Sequence, residues 1–228
     1  MIKKIGRIQG MLVTCALVAA AFSTNLNADQ AAGQVIAGGM DITDGDAKAG
    51  KTKSELCQGC HGEKGMSVDP TTFPNLAGQY AGYIFKQVQD FQLGNRNDDT
   101  MSAMAATVTS LKDLKDIAVY YSSQPIMKGK SPGNKSLAKK GEDIFLKGDM
   151  KSGVYGCVNC HGKNGKGKSK SNSLFPVIGG QNKPYLVKQL KNLKSGKRNN
   201  DPAGMMRDIA SKLSDAQIDA VAEYISSL

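Results

Sequence analysis

The chain has 228 residues and a formal net charge of +10 at neutral pH. This length suffices for one large domain or two small ones. The positive charge does not indicate a nucleic-acid-binding protein, because the chain contains no recognised binding motif and its first residues are typical of an exported protein.

Residues 1–28 are predicted to be a cleaved secretory signal peptide, which would place the mature protein in the periplasm. Three basic residues precede an apolar stretch at 11–22, and small residues follow. About twelve apolar-rich residues are too few to span a bilayer comfortably, and an uncleaved anchor is the alternative. A lipoprotein signal ending at Cys15 is a weaker alternative, since Thr14 is a poor residue at the preceding position. Removal of the signal leaves about 200 residues with a charge of about +7.

The pentapeptide pattern CxxCH occurs twice, and its two copies begin one hundred residues apart. CxxCH is the attachment signal of c-type haem, because two thiols at this spacing can bind the two vinyl groups of a porphyrin and the histidine can bind the iron. The sequence therefore predicts two covalently attached haem c groups. The predicted attachment and ligand residues are Cys57, Cys60 and His61 in the first copy and Cys157, Cys160 and His161 in the second.

Cysteine and histidine usage supports this interpretation, since four of the five cysteines and both histidines lie in the two motifs. A zinc site built from thiolates, or disulfide chemistry, is the alternative, but it leaves each histidine directly after its CxxC unexplained. A thioredoxin-like CxxC would require an alternating strand–helix pattern, which the sequence lacks.

The similarity between the two halves extends beyond CxxCH. The stretch FPNLAGQ begins at Phe73 and FPVIGGQ begins at Phe175, and further matches follow at the same offset of 102 residues. Matches of this density indicate a duplicated domain of about ninety residues. We predict domain 1 at 29–123, a linker rich in Pro, Gly and Lys at 124–135, and domain 2 at 136–228.

The fold is predicted to be all-α. Apolar residues recur at helical spacing, closing helices are expected at 111–121 and 215–228, and Ser214 with Gln217 forms a candidate capping box. No run alternates as a strand. A buried covalent haem would supply the apolar core that such small domains lack.

The second axial ligand decides the chemistry of each iron, because an open position favours catalysis and His/Met ligation favours electron transfer. With two histidines in the chain, bis-histidine ligation is excluded, and methionine is the remaining soft ligand. Alignment of the stretches before the two closing helices places Met206 on Met101, so these two are the predicted axial ligands, with Met104 and Met205 as alternates. Other methionines are expected at the surface or in loops: Met66, Met127 and Met150.

A histidine that binds a metal usually donates its other ring N–H to a carbonyl or carboxylate. The backbone carbonyls of Pro74 and Pro176, in the two Phe-Pro stretches, are candidates for this contact. The alternative is that both are ordinary turn prolines.

Together these motifs resemble the dihaem cytochromes of the cytochrome c4 family over nearly the whole mature chain. The resemblance is carried by CxxCHG and FPxxxGQ in both halves, with Met206-Arg207, Ala210 and Lys212-Leu213-Ser214 in the second. It implies two tandem cytochrome c-like domains packed face to face, with His/Met ligation and proline carbonyls on the proximal histidines. It also implies a carrier rather than an enzyme, which takes electrons from a bc1-type complex toward a haem–copper terminal oxidase.

The chain departs from the family pattern locally. Domain 2 carries about nine extra residues at 148–156, and domain 1 has a short segment at 98–110 that is expected to be irregular.

Two other functions remain open. One is a dihaem subunit bound to a dehydrogenase that oxidises sulfide or thiosulfate. The other is an enzyme such as a dihaem peroxidase, which needs an open iron site that two equivalent methionines disfavour. The lysine clusters at 128–147 and 163–170 are either solvated surface or patches that steer the protein to an acidic redox partner or to anionic lipid, which corresponds to peripheral membrane association.

Overall fold

A computed structural model describes residues 42–169 and 172–228. The predicted signal peptide, including Cys15, lies outside these described residues. Within them the chain is helical, and the pairing of Asp149 with Val154 is a single isolated antiparallel bridge. The all-α prediction is confirmed. None of the helices in the described ranges is long and apolar enough to cross a bilayer.

Each half of the described chain contributes five α-helices, numbered α1 to α10 in chain order. The first half contains α1 Ala47–Lys53, α2 Glu55–His61, α3 Ala81–Gln92, α4 Asp99–Ala106 and α5 Leu111–Ser123. The second half contains α6 Lys135–Lys147, α7 Val158–His161, α8 Lys183–Lys194, α9 Met205–Lys212 and α10 Asp215–Ser226. Single turns of 3-10 helix occupy Lys163–Gly165 and Pro202–Gly204.

Side-chain caps fix where several helices begin. The predicted capping box is present at the start of α10, where the Ser214 hydroxyl accepts from the Gln217 backbone N–H and the Gln217 side chain accepts from the Ser214 N–H. The side chains of Asn134 and Ser110 cap α6 and α5. Each cap satisfies N–H groups that have no partner inside the helix. Helix α6 begins at Lys135, the last residue of the predicted linker.

In each half the first helix crosses the closing helix, and a glycine permits the close crossing. Helix α1 packs on α5, and α6 packs on α10. A Cβ atom on Gly50 would overlap the backbone of Asp116, and a Cβ atom on Gly141 would overlap the backbone of Ala220. The duplication is therefore repeated in the helix packing as well as in the motifs.

Each half has its own apolar core, and the first cysteine of each CxxCH packs against it. Cys57 lies against the first core and Cys157 against the second. Core residues of the first half are Ala81, Ile84, Phe85, Leu114, Ile117, Ala118, Tyr120 and Tyr121. Core residues of the second half are Phe145, Leu186, Val221, Ala222 and Ile225.

The two halves contact each other through equivalent residues of the repeat. The residues of one contact lie 102 positions from their counterparts in the other. Gln79 Nε2 donates to the Val177 carbonyl at 2.7 Å, and the Val177 N–H donates to Gln79 Oε1 at 3.0 Å. Gln181 makes the same pair of bonds with the backbone of Asn75, at 2.9 and 2.8 Å. Because each contact is the counterpart of the other, the interface has approximate two-fold symmetry of the kind found in isologous dimers.

A second symmetric contact is built on two arginines. Each guanidinium donates to the tyrosine and the glutamine of the opposite half, with N···O distances of 2.9–3.2 Å. The pairs are Arg96 with Tyr185 and Gln189, and Arg198 with Tyr83 and Gln87. These residues are among the matches that identify the repeat, so the repeated residues are also those that hold the halves together.

The segment that joins the halves passes along this interface. Met127, expected at the surface or in a loop, lies in a loop but is fully buried against Tyr80 and Val177. It is covered because the short connection crosses the contact between the halves. Lys166 Nζ fixes the segment by donating to the Met127 carbonyl at 2.7 Å. Two methionines are exposed as expected: Met66 and Met150.

Candidate haem sites

Helices α2 and α7 each end at the histidine of a CxxCH motif. The glycine that follows, Gly62 or Gly162, has a φ of 75° or 74°. This left-handed conformation favours glycine and lets the chain leave the helix directly after the histidine. The imidazole is thereby held at a fixed helix end, next to the two thiols of the same turn.

Both histidines are buried and oriented by one hydrogen bond. The side chains of His61 and His161 are 5% and 6% exposed. Nδ1 of His61 lies 2.9 Å from the Pro74 carbonyl oxygen, and Nδ1 of His161 lies 2.9 Å from that of Pro176. The predicted proline contacts are therefore present. Because a carbonyl only accepts, Nδ1 carries the proton, and Nε2 keeps the lone pair that an iron ligand needs.

The surroundings favour the neutral form of both imidazoles. Burial lowers the pKa of His61 and of His161 below the ordinary value, while the hydrogen bonds to Pro74 and Pro176 act in the opposite direction with smaller effect. A neutral imidazole is the form that binds a metal.

The motif cysteines are free thiols with no disulfide between them, and the first of each pair, Cys57 or Cys157, packs against a core. Burial raises the pKa of the Cys57 thiol and raises that of Cys157 to about 11. Across the described ranges, no group of three or more His, Cys, Asp or Glu side chains is placed to hold a metal ion. Two free thiols, one of them against an apolar core, and one imidazole oriented by a carbonyl fit a covalently attached haem in each half.

The predicted second ligands lie on equivalent helices. Met101 is on α4 and Met206 is on α9, the helix that precedes the closing helix in each half, and both side chains are half-buried. The alternate Met205 is more exposed, at 40%, while the alternate Met104 is half-buried on the same helix as Met101. The assignment of Met101 and Met206 stays a prediction.

The segment at 98–110, expected to be irregular, contains the regular helix α4. Asp98 caps this helix by accepting from the Met101 N–H at 3.2 Å. In the second half Asp201 accepts from the Arg207 N–H at 3.0 Å, beside Met206. The expectation was wrong because the small and polar residues of the segment give little apolar periodicity, whereas the aspartate cap and tertiary packing stabilise the helix.

Sequence reasoning did not single out Tyr121, which is fully buried in the core against which Cys57 packs. The repeat contains the signal that could have found it. The closing helices match Tyr120 with Tyr224, which places Tyr121 opposite Ile225. A polar aromatic residue in one copy and an aliphatic residue in the other mark a difference between two otherwise equivalent sites.

Comparison with known proteins shows similarity in sequence. A family model described as cytochrome c matches residues 138–228. The chain is 40% identical over 187 residues to cytochrome c4 of Thiocapsa roseopersicina, which covers 81% of this chain and 93% of that protein. It is 33% identical over 180 residues to a thiosulfate dehydrogenase electron acceptor of Thiomonas intermedia (strain K12), covering 78% of this chain and 81% of that protein.

The fold is similar to a solved structure. The crystal structure of reduced recombinant cytochrome c4 from Pseudomonas stutzeri matches with a TM-score of 0.74 and 40% sequence identity, covering 81% of this chain and 99% of that chain. The prediction of two tandem cytochrome c domains is confirmed by this match.

Proposed function

The chain belongs to the cytochrome c4 family, and from that premise we propose that it is a periplasmic carrier of single electrons between respiratory-chain components, toward a terminal oxidase. As a member of this family it holds two covalently attached haem c groups, each of which supplies an iron that gains and loses one electron. The family consists of electron carriers, and we propose no catalytic role for this chain.

The observation that carries the proposal is the duplicated ligand geometry, in which each CxxCH histidine donates to a proline carbonyl at 2.9 Å. A methionine on the helix before each closing helix would complete the set. With these ligands the iron would have no open position for a substrate, which favours electron transfer. The proposed axial pairs are His61 with Met101 and His161 with Met206, and the proposed thioethers are at Cys57, Cys60, Cys157 and Cys160.

The charge is divided unequally between the halves, and this supports a docking surface on one half rather than on both. Residues 29–123 contain twelve acidic and eight basic side chains, whereas residues 136–228 contain sixteen basic and eight acidic ones. A basic domain attracts an acidic partner over long range and orients the encounter. We therefore place the docking surface for a haem–copper oxidase, or for a bc1-type donor, on the second half. The same charge supports peripheral association with anionic headgroups.

The exposed surface beside the CxxCH motif is also more positive in the second half than in the first. The residue two positions after the histidine is Glu63 in the first half and Lys163 in the second, and both are exposed. The first half pairs its residue locally, since Lys51 Nζ lies 2.8 Å from the Glu63 carboxylate. The exposed edge of the second motif therefore presents a positive charge where the first presents a neutralised pair.

A second candidate function is supported by the similarity to a protein named thiosulfate dehydrogenase electron acceptor. In that case the chain receives electrons from a dehydrogenase rather than from a bc1-type complex. The same ligand geometry serves both functions, so the partner has to be identified by kinetics.

Rapid mixing of the reduced, haem-loaded protein with a purified haem–copper oxidase tests the first candidate. We expect oxidation faster than about 10⁶ M⁻¹s⁻¹ at low salt, slowing about tenfold at high salt. The second candidate is tested by mixing the oxidised protein with a thiosulfate dehydrogenase and thiosulfate. Rapid reduction there, with no reaction toward the oxidase or a bc1-type complex, would replace the respiratory proposal with the second candidate.

Matched charge reversals locate the docking surface. Lys163→Glu should slow the reaction with the oxidase about threefold or more, because it removes a steering charge beside the second motif. Lys64→Glu makes the same charge change at an exposed position of the first half and should change the rate by less than about twofold. Equal effects of the two variants would contradict docking on the second half.

A further inference from the structure

Tyr121 differs from the other buried polar side chains of the protein. Its side chain is 0% exposed, and among the described residues its hydroxyl is the single buried side-chain oxygen or nitrogen without a hydrogen-bond partner. A buried hydroxyl with no partner destabilises the folded state and therefore needs an explanation. Either the residue is a local defect, or its partner is a group that binds beside it.

The location of the hydroxyl favours a bound group. Tyr121 belongs to the core cluster against which Cys57 packs. Burial raises the pKa of Tyr121, and the neighbouring Cys57 raises it further, so the phenol and the thiol are close enough to interact. The ring also lies against the loop after the motif, since a Cβ atom on Gly65 would be 3.0 Å from Tyr121 Cδ1. Tyr121 thus lies beside the attachment point of the first haem.

The nearby Ser54 hydroxyl does not satisfy the phenol. Ser54 Oγ donates to the Lys51 carbonyl at 2.9 Å and accepts from Gln58 Nε2 at 3.0 Å. Ser54 is close enough to lower the pKa of Tyr121, but its geometry falls short of a hydrogen bond. The Tyr121 O–H therefore has no protein acceptor and remains available as a donor near Cys57.

The equivalent position of the second half has no hydroxyl. Ile225 occupies the equivalent position on α10 and lies in the core cluster against which Cys157 packs. Both sites have an oriented histidine, two thiols and a candidate methionine. At this position they differ by a hydroxyl group in one core and a purely aliphatic side chain in the other.

We propose that Tyr121 is a positioning residue of the first haem site, which donates a hydrogen bond on the Cys57 side and makes the two haems of the chain inequivalent. Hydrogen bonds and local polarity around a haem set its reduction potential. A donor hydrogen stabilises the form with the extra electron, so Tyr121 raises the midpoint potential of the first haem. The inference builds on the electron-carrier function proposed above, since a difference in potential directs an electron between two centres.

The test uses Tyr121→Phe in the full-length, haem-loaded protein. This change removes the hydroxyl and keeps the ring. A redox titration followed by NMR reports each haem separately, with resonances assigned through contacts to residues of the same half. We expect the midpoint of the first haem to fall and that of the second to stay unchanged. The ratio of electrons on the first haem to electrons on the second should fall about threefold. This corresponds to a change of about 28 mV in the difference between the two midpoint potentials, because a tenfold change in a one-electron equilibrium is 59 mV.

Tyr120→Phe is the matched control, because it removes the adjacent hydroxyl, which donates to the Glu63 carbonyl at 2.7 Å. This variant should leave the difference between the two midpoints unchanged. Unchanged midpoints in Tyr121→Phe, or equal shifts of both haems, would overturn the proposal and leave Tyr121 as a packing residue.

A second measurement does not depend on the variant. In the unaltered protein with isotope-labelled tyrosine, the oxidised-minus-reduced infrared spectrum should contain a tyrosine band, because the hydrogen bond changes with the charge of the site. Absence of a tyrosine band would also overturn the proposal. Neither measurement includes a partner protein, so a failure of the proposed respiratory function would be distinguishable from a failure of this inference.

Discussion

At the scale of single residues, each motif histidine is held by a backbone carbonyl rather than by a side chain. Pro74 and Pro176 present those carbonyls at 2.9 Å, and no side-chain substitution removes a carbonyl. Orientation of the imidazole therefore depends on the path of the loop. The proposed methionine ligands are side chains, so a single substitution can test each of them.

Replacement of Met206 by alanine should remove one of the two proposed methionine ligands. We expect the oxidised protein to lose about half of the absorbance band, near the red end of the spectrum, that arises from methionine sulfur bound to ferric iron. Met205→Ala is the control, because Met205 is the exposed neighbour and its loss should leave the band intact. A band lost in the control and kept in Met206→Ala would reassign the ligand.

Asp116 is a buried carboxylate whose hydrogen-bond donors include groups from distant parts of the sequence. It is 1% exposed, yet Lys53 Nζ lies 2.7 Å from its carboxylate, Lys112 also donates to it, and the Asp46 N–H donates at 2.7 Å. Burial by itself raises the pKa of a carboxyl group, but these donors outweigh it and hold the pKa of Asp116 well below its usual range. The equivalent position in the second half is Ala220.

The depressed pKa predicts an acid-sensitive first half. The unfolded carboxyl group has a pKa of about 3.9, so the stabilisation by Asp116 is complete above that pH and is lost as the pH falls toward the lower folded pKa. Asp116→Asn should unfold more easily near neutral pH, by about 1–3 kcal/mol, and should lose less stability on acidification. Chemical denaturation at about pH 7 and about pH 3 measures both. Equal losses in the variant and the parent protein would exclude this role.

At the single-residue scale, sequence patterns indicated the motif cysteines, the histidines and the proline carbonyls, because each follows from chemistry within a few residues. They did not indicate Asp116 or the burial of Met127. The partners of Asp116 include Lys53 and the backbone of Asp46, 63 and 70 positions away in the sequence. Burial and long-range partners depend on how elements meet, and a local pattern does not contain that information.

At the scale of elements, the crossing of α1 with α5 and of α6 with α10 organises each half. The sequence predicted α5 and α10 from their apolar spacing and capping residues. It gave little sign of α1, which has lysines and small residues and a single buried position at Gly50. Such a helix is stabilised by its packing rather than by its own periodicity, and glycine there is a contact residue although it is a poor helix former.

Gly141→Ala tests this crossing. Alanine improves the intrinsic helix propensity of α6, but its Cβ would overlap the backbone of Ala220. We expect a net loss of about 1–3 kcal/mol in the free energy of unfolding, since the helices have to separate. Lys140→Ala, at the exposed neighbouring position, should change stability by less than about 0.5 kcal/mol. A stabilised Gly141→Ala variant would contradict the close crossing.

At the scale of the whole molecule, the interface between the halves is built from repeated residues in reciprocal pairs. A sequence repeat shows that Gln79 corresponds to Gln181 and Arg96 to Arg198. It does not show that each side chain binds the opposite copy, because a repeat within one chain fits separate domains equally well. The symmetric contact is therefore information that the fold adds to the sequence.

Replacement of Arg96 by methionine tests the arginine contact between the halves. Arg96 is 8% exposed, and its loss removes the donor to the Tyr185 hydroxyl and leaves Gln189 with Arg198 as its guanidinium donor. We expect a destabilisation of about 2–4 kcal/mol, measured by chemical denaturation. Lys188→Met removes an ion pair at the rim, where Lys188 and Asp98 are 55% and 32% exposed, and should cost less than about 1 kcal/mol. Similar losses of stability in the two variants would argue against a large contribution of the arginines to the contact between the halves.

The connection at 124–135 has a consequence for affinity. Two separate domains would have to find each other at cellular concentration, but a short tether holds the two surfaces at an effective concentration of about the millimolar range. The contact between the halves is made largely of amides, tyrosines and guanidinium groups. With the tether, even a contact too weak to hold two free chains together can stay formed most of the time. The tether also fixes the pairing at one acidic half with one basic half, an arrangement that a symmetric homodimer of either half could not produce.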